Sequence, residues 1–314
     1  MKAVIPPVER SLIKHELNDN TFVRHTNNGS NLIYIITAHN APNTLREIGR
    51  VREVTFRDAG GGTGLDCDLD EFDLCEVPYQ QLIVWSPTDE EIVGGYRFIA
   101  CKDAMVQNKI QLATTELFSF PEKFILDYLP YTIELGRSFV QPRYQPSAQN
   151  RKGLFSLDNL WDGLGAIVVD NPDIKYFFGK VTMYRHYHAL ARDLILSFMQ
   201  HYFPDKENLV SPIHPLPVLN DVSEFIKELN GLPYKEGHHL LNQHVRDLGE
   251  NIPPLFNSYM NLSATMKTFG TALNPHFGEV EETGIMVTIA DIYPSKKERH
   301  ISSYLKEKSE RKPL

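Results

Sequence analysis

Three stretches of this chain combine acidic and basic side chains in patterns suited to proton transfer and to holding anions. The first is Glu134-Leu135-Gly136-Arg137-Ser138-Phe139-Val140, two charges set in an otherwise apolar run. Glu134, with Glu116 upstream, supplies a carboxylate able to take a proton from an attacking amine. Residues three apart on a regular strand face opposite sides, so Glu134 and Arg137 share one cleft only if a bulge falls near Gly136. The second stretch is Gly94-Gly95-Tyr96-Arg97, where paired glycines mark a bulge or a close approach by another backbone. A guanidinium inside a strand needs a carboxylate or phosphate partner, from a structural ion pair or from a ligand. The third is Arg52-x-x-x-Phe56-Arg57, followed by Gly60-Gly61-Gly62-x-Gly64 and the run Asp66-x-Asp68-x-Asp70-Glu71-Phe72-Asp73.

Several familiar chemistries do not fit these residues. An EF-hand opening at Asp66 requires glycine at its sixth position and glutamate at its twelfth, which here are Glu71 and Val77. The glycine run lacks the Lys-Ser/Thr of a phosphate loop. What remains is a mobile acidic loop, either solvated or holding a cationic or amine substrate. His186 with His188, and His238, His239 and His244, lack the i, i+4 spacing of a helical zinc pair. Ser138 lies in no Gly-x-Ser-x-Gly elbow, and Cys67, Cys75 and Cys101 form no CxxC pair. No metal is expected, and a reducing compartment is.

Hydrophobic periodicity places these groups on alternating elements. Asn31–Thr37 and Tyr131–Val140 predict strands, and Tyr79–Ser86 with Glu91–Cys101 predict an antiparallel hairpin. Thr44 and Glu47 predict a capping box on a helix running to about Arg57, with Leu45, Ile48, Val51 and Phe56 near one face. A helical region broken by Pro121 is expected over Asp103–Tyr128, then a helix over Leu154–Val169, a strand at Tyr176–Met183 and a strong amphipathic helix at His188–Tyr202. Beyond a linker at Pro212, Pro215 and Pro217 come short helices at Val222–Leu229 and His239–Leu248 and a closing strand at Gly284–Ile292. Interleaved strands and helices with an internal hairpin predict an α/β protein with a mixed sheet.

Composition narrows the partners. A chain of 314 residues, 42% apolar and 23% charged, is ordinary for a globular protein. Its net charge of −8 argues against nucleic acid. A stretch from Lys296 to Leu314 is locally basic and suits an anionic membrane surface or an acidic carrier protein. The first twenty residues lack the apolar core of a signal peptide, so a cytoplasmic location is expected, with any membrane contact peripheral on the inner face.

In order along the chain, these motifs resemble the family of ornithine-lipid and glycine-lipid N-acyltransferases, often labelled hemolysin-like, within the GNAT superfamily. More distantly they are similar to acyl-homoserine-lactone synthases. The likeness rests on Arg52 to Phe56, Asp70-Glu71-Phe72-Asp73, Val93 to Arg97, Thr115-Glu116-Leu117-Phe118 and Glu134 to Val140. It continues through Leu160-Trp161-Asp162-Gly163-Leu164, Tyr176-Phe177-Phe178-Gly179 and Ile252-Pro253-Pro254-Leu255-Phe256-x-x-Tyr259.

The resemblance implies transfer of a (3-hydroxy)fatty acyl group from acyl carrier protein or acyl-CoA to the amine of an amino acid such as glycine or ornithine, the first step of aminolipid synthesis. It further implies a GNAT-like fold whose central sheet splays between Tyr131–Val140 and Tyr176–Met183 to admit the phosphopantetheine arm. The expected domain spans 31–295, with an arm at 1–30, a helical insertion at about 205–262 and a basic tail at 296–314.

Under this reading Glu134, or else Glu116, is the base, and Arg137 and Ser138 complete the chemistry. Arg52, Phe56, Arg57, Asp70, Asp73, Arg97 and Trp161 bind substrate, with Arg52, Arg97 and Arg137 clamping the acceptor's carboxylate or the carrier's phosphate and backbone amides near Arg137 to Val140 serving the oxyanion. Phe139, Val140, Arg151, Lys152 and Gly153 meet the donor. The chain departs from the family pattern in the insertion Gln145–Gly153 and at Leu273-Asn274-Pro275-His276-Phe277, where an aspartate is expected before the phenylalanine. A lactone-forming synthase and a non-catalytic acyl-carrier or lipid-binding module are the alternatives.

Overall fold

The computed structural model describes residues 1–107, 109–145, 153 and 155–310. The chain divides into two units. The first comprises Met1–Ala113, Pro130–Lys175 and Tyr293–Leu314; the second comprises Thr114–Leu129 and Tyr176–Ile292. Residues 31–295 contribute to both units.

Unit 1 is built on five antiparallel strands in the order β1 (Phe22–His25), β2 (Leu32–Ile36), β3 (Gln80–Ser86), β4 (Glu91–Ala100) and β8 (Thr132–Val140). The β3–β4 hairpin forms where the alternating runs and the intervening turn predict it. One sheet face carries α2 (Pro42–Asp58), whose Arg52 reaches Gln81 of β3 and whose Phe56 ring meets Phe139 of β8 at 6.4 Å. The other face carries α5 (Ser156–Asp170), where Gly163 sits against the side chain of Leu82.

Residues 1–30 are part of this unit. They supply β1 and α1 (Arg10–Glu16), and Glu16 caps α2. Its carboxylate accepts the backbone N–H groups of Asn43 at 3.0 Å and Thr44 at 2.7 Å, placing negative charge at a helix start. Burial alone would raise the Glu16 carboxyl, yet the hydrogen bonds from Thr44 and Asn43 hold it below the usual range. The predicted Thr44–Glu47 capping box does not form, because Glu16 occupies Thr44 while Glu47 binds the Val8 N–H and Arg50.

The basic tail is likewise part of the unit. Through residue 310 it is helical, with α10 (Pro294–Lys297) and α11 (Ser303–Glu310) joined by a π-turn. Its basic groups are tied to α5: Arg299 to Asp158, His300 to Asp162 at 2.7 Å and Lys308 to Asp170 at 2.6 Å. The fully buried Arg24 donates to the carbonyl of His300 at 3.0 Å. A Cβ added at Gly165 of α5 would lie 2.3 Å from that same carbonyl, so glycine is what lets the segment lie against the helix. We expect Gly165→Ala to lower the melting temperature by several degrees, since backbone locked by Arg24 must move to admit the methyl. An unchanged melting curve by circular dichroism would show that the segment is not closely held.

Unit 2 centres on three antiparallel strands in the order β9 (Tyr176–Met183), β12 (Val280–Thr288) and β11 (Lys267–Asn274). Helix α6 (Ala189–Tyr202) packs through Leu194, Ile195, Phe198 and Met199, and it is followed by α7 (Ser223–Leu229), α8 (Tyr234–Asp247) and α9 (Pro254–Met260). The segment 103–128 is largely not helical. It forms the ribbon β5 (Met105–Val106) and β6 (Lys109–Ile110) in unit 1, with Gln107 in the left-handed region at φ 50°. In unit 2 it forms the short strand β7 (Phe118–Ser119), which pairs with β10 (Ser211–Pro212), and one helix, α4 (Glu122–Asp127). Short strand pairings take up residues in this stretch, and the α-helix begins only after Pro121. Among the described residues, no helix is long and apolar enough to cross a membrane.

Candidate active site

The predicted bulge exists. Gly95 pairs with Phe139 and Arg97 with Gly136, two steps along β4 against three along β8, and the extra residue includes Arg137 at φ 47°. A non-glycine residue in that region costs about 1–2 kcal/mol, so surrounding contacts must hold it. Arg137 Nε donates to both carboxylate oxygens of Asp68, at 3.0 and 3.2 Å. By inserting one residue, the bulge brings Glu134, Arg137 and Phe139 to the α2 side of the sheet despite their mismatched spacing. Gly94 and Gly95 serve close approach: an added Cβ would meet Phe139 O at 2.4 Å and Leu82 O at 2.6 Å respectively.

Beneath α2 three arginines and three aspartates neutralise one another. Arg52 donates from Nε to Asp68 at 3.0 Å, from Nη2 to Asp73 at 2.9 Å and from Nη1 to Gln81 at 3.3 Å. Arg97 donates from Nη1 to Asp70 at 2.6 Å and to Asp73 at 3.4 Å. Burial by itself would raise the carboxyls of Asp68 and Asp73. The guanidinium groups of Arg137 and Arg52 beside the first, and of Arg52 and Arg97 beside the second, hold both below the usual carboxylate range. The acidic run is thus no open loop. Asp70 and Asp73 form a reciprocal capping box on α3 (Glu71–Leu74), and Asp68 is fully buried.

The candidate residues differ in how they are enclosed. Arg52 is 0% exposed with its donors engaged and anchors the aspartate run to α2. Asp73 is equally enclosed. Arg57 ties the arm and glycine run together through Glu53, Lys2 O and Leu65 O, and Phe56 is core. The glycine run folds over Glu53, which accepts the N–H groups of Thr63 at 3.0 Å and Gly64 at 2.8 Å; the concavity holds an internal carboxylate, not a phosphate. Glu116 is exposed on a turn of unit 2, and Trp161 is half-buried on α5. Asn274 is buried and donates to Glu282 at 3.1 Å. Arg151 and Lys152 lie outside the described residues, whereas Gly153 is buried just ahead of α5.

The same sheet face carries Glu134 and Arg97. Glu134 lies opposite Ile99, and two residues on, Gly136 lies opposite Arg97. Glu134 is 1% exposed and accepts a hydrogen bond from the hydroxyl of Tyr79. Arg97 is also buried, and its Nε has no hydrogen-bond partner. A buried donor left unpaired costs about 1–3 kcal/mol, and such an orphan calls for an explanation.

Sequence reasoning missed Tyr79, which sits just before β3 and reads as an ordinary strand aromatic. It also missed Ser156 and Asn159, buried on the first turn of α5 with side-chain polar atoms unpaired. Small polar residues at a predicted helix start were the available signal for those two.

Residues 51–152 match the Acetyltransferase (GNAT) domain family. A Glycine N(alpha)-acyltransferase of Bacteroides thetaiotaomicron is 52% identical over 308 residues, covering 97% of this chain and 91% of that protein. A Glycine N(alpha)-acyltransferase of Phocaeicola vulgatus is 49% identical over 312 residues, covering 99% and 96%. The solved structure of FeeM, an N-acyl amino acid synthase from uncultured soil microbes, is a remote likeness, with a TM-score of 0.38 and 10% identity over 88% of this chain and 96% of its own. With a GNAT domain across the bulged strand and half its residues shared end to end with those two proteins, the chain is an acyltransferase and belongs to their GNAT acyltransferase family.

Proposed function

We propose that this protein transfers a long acyl group, 3-hydroxylated as in aminolipids, from a phosphopantetheine thioester to the α-amine of glycine. The observation that carries the reading is the pairing, on one sheet face, of the Glu134 carboxylate with the unpaired N–H of Arg97. An α-amino acid presents the complement: a carboxylate for the guanidinium and an amine for the base. The relatives' activity favours glycine over ornithine as the acceptor.

In the proposed reaction Glu134 takes a proton from the acceptor ammonium, and the freed lone pair attacks the thioester carbonyl. The backbone amides of the bulge, from Arg137 through Ser138 and Phe139 to Val140, are the donors assigned to the resulting oxyanion; one such donor is worth about 3–4 kcal/mol of barrier. Collapse breaks the C–S bond as the C–N bond stands. The proton held by Glu134 passes to the departing thiolate, and the regenerated carboxylate takes the second proton from the nitrogen and releases it to solvent, leaving an amide and a free thiol. Ser156 and Asn159, orphaned at the first turn of α5, are the groups assigned to the donor's phosphate, with the helix N–H groups behind them. We assign acyl carrier protein as the partner that presents the thioester, with acyl-CoA as the competing donor. Exposed Lys306 on α11 is a basic group suited to that acidic partner or to an anionic membrane surface.

Arg97→Lys tests the acceptor assignment, since lysine keeps the charge and loses the fork. The KM for glycine should rise about tenfold or more, the worth of one hydrogen bond between charged groups, with kcat within about threefold. An unchanged glycine KM would return Arg97 to a purely structural ion pair with Asp70 and Asp73.

A further inference from the structure

Tyr79 is enclosed more firmly than packing alone requires. Its hydroxyl donates to Glu134 Oε2 and accepts the backbone N–H of Ala113 at 2.9 Å. Its own N–H donates to Phe72 O at 2.8 Å. The ring stands edge-on to Phe72 at 5.7 Å, and Arg97 Cζ lies 5.1 Å from its centroid. With Ala113 bonded to the phenol oxygen, the phenol proton is directed at Glu134. Burial, and the charge of Glu134, push the hydroxyl well above the usual phenol range, so it stays a donor throughout the working pH range. A phenylalanine would fill the same volume; only the hydroxyl makes the two hydrogen bonds.

We infer that Tyr79 is a positioning residue for acyl transfer, holding one oxygen of Glu134 so that the carboxylate keeps a fixed direction and a tuned proton affinity. This rests on Glu134 being the base. A donor to a carboxylate favours its charged form, so Tyr79 lowers the pH at which Glu134 becomes competent to accept a proton. Titratable or charged groups beside this pair include Cys101, just after β4, and Arg97. The Cys101 thiol is pushed up by burial and by Glu134, and Arg97 keeps its charge throughout. Neither changes charge near neutral pH.

The test uses Tyr79→Phe in the full-length protein, with kcat/KM for glycine measured against pH and the melting temperature recorded beside it. The expected result is a fall in kcat of about tenfold, an acceptor KM within about twofold, and an acid limb displaced upward by about one pH unit. An unmoved limb overturns the inference, whether or not the melting temperature drops, because a merely structural hydroxyl would affect stability alone. Where Tyr79→Phe fails to fold, 3-fluorotyrosine at position 79 replaces it; that phenol is a stronger donor and should move the limb to lower pH, and no movement counts against the inference. Glu134→Gln separates the two levels. If that variant keeps turnover, the base assignment falls and this inference with it. If it is inactive while the Tyr79→Phe limb stays in place, only the role of Tyr79 falls.

Discussion

Glu134→Gln is expected to lower kcat by about 10²–10⁴-fold, the usual contribution of a positioned general base, with little change in melting temperature. Glutamine has the size of glutamate, and its amide oxygen can still accept the Tyr79 hydroxyl, so the buried site keeps its volume and that hydrogen bond. What is lost is the proton acceptor. The deficit should narrow as pH rises past the acceptor's own amine pKa, because the nucleophile then arrives neutral. Initial rates at saturating donor and glycine across that range are the check. Activity within about twofold of the parent at neutral pH would remove Glu134 as the base.

Arg52→Ala is expected to produce the largest loss of stability. Asp68 and Asp73 are 0% exposed, and both lean on Arg52. Removing one partner of a buried ion pair costs about 3–5 kcal/mol, on the order of 10 °C in melting temperature for a chain of this size. The pH dependence follows in sign. Both carboxyls have depressed native pKa values, so their pairing stabilises the fold fully above the unfolded value of about 4. That contribution is lost as pH falls through the lower native values. In Arg52→Ala the native values move back toward the unfolded one, so the urea midpoint should be lower at pH 7 and fall less steeply on acidification. A midpoint matching the parent at pH 7 would contradict the network's role.

How much of this was legible follows from which forces were local. The β3–β4 hairpin, β2, β8, β9 and α6 announce themselves through alternation or helical periodicity, and the structure has them within a residue or two. The bulge was legible only as a condition, that Glu134 and Arg137 share a face if one falls near Gly136, and the structure meets it. Roles set by distant partners were not. Arg52 and Arg97 are both buried against aspartates, yet only Arg97 keeps an unpaired N–H, and only the fold distinguishes them. The residues before Asn31 and after Ser295 carry little apolar periodicity, so neither their secondary structure nor their docking could be read. Their order comes from single buried polar groups, Glu16 on the start of α2 and Arg24 on His300. Segment 103–128 misled because helix-tolerant residues there are spent on short strand pairings.

The most direct test of the acyl-transfer account is high-resolution mass spectrometry of the purified protein incubated with isotopically labelled glycine and a 3-hydroxyacyl thioester, on carrier protein and on coenzyme A in separate reactions. The account predicts an N-(3-hydroxyacyl)glycine that retains the label, formed with one equivalent of free thiol and absent when Glu134→Gln replaces the parent. Thioester left intact with both donors, or hydrolysed to free acid with no labelled amide, would contradict it.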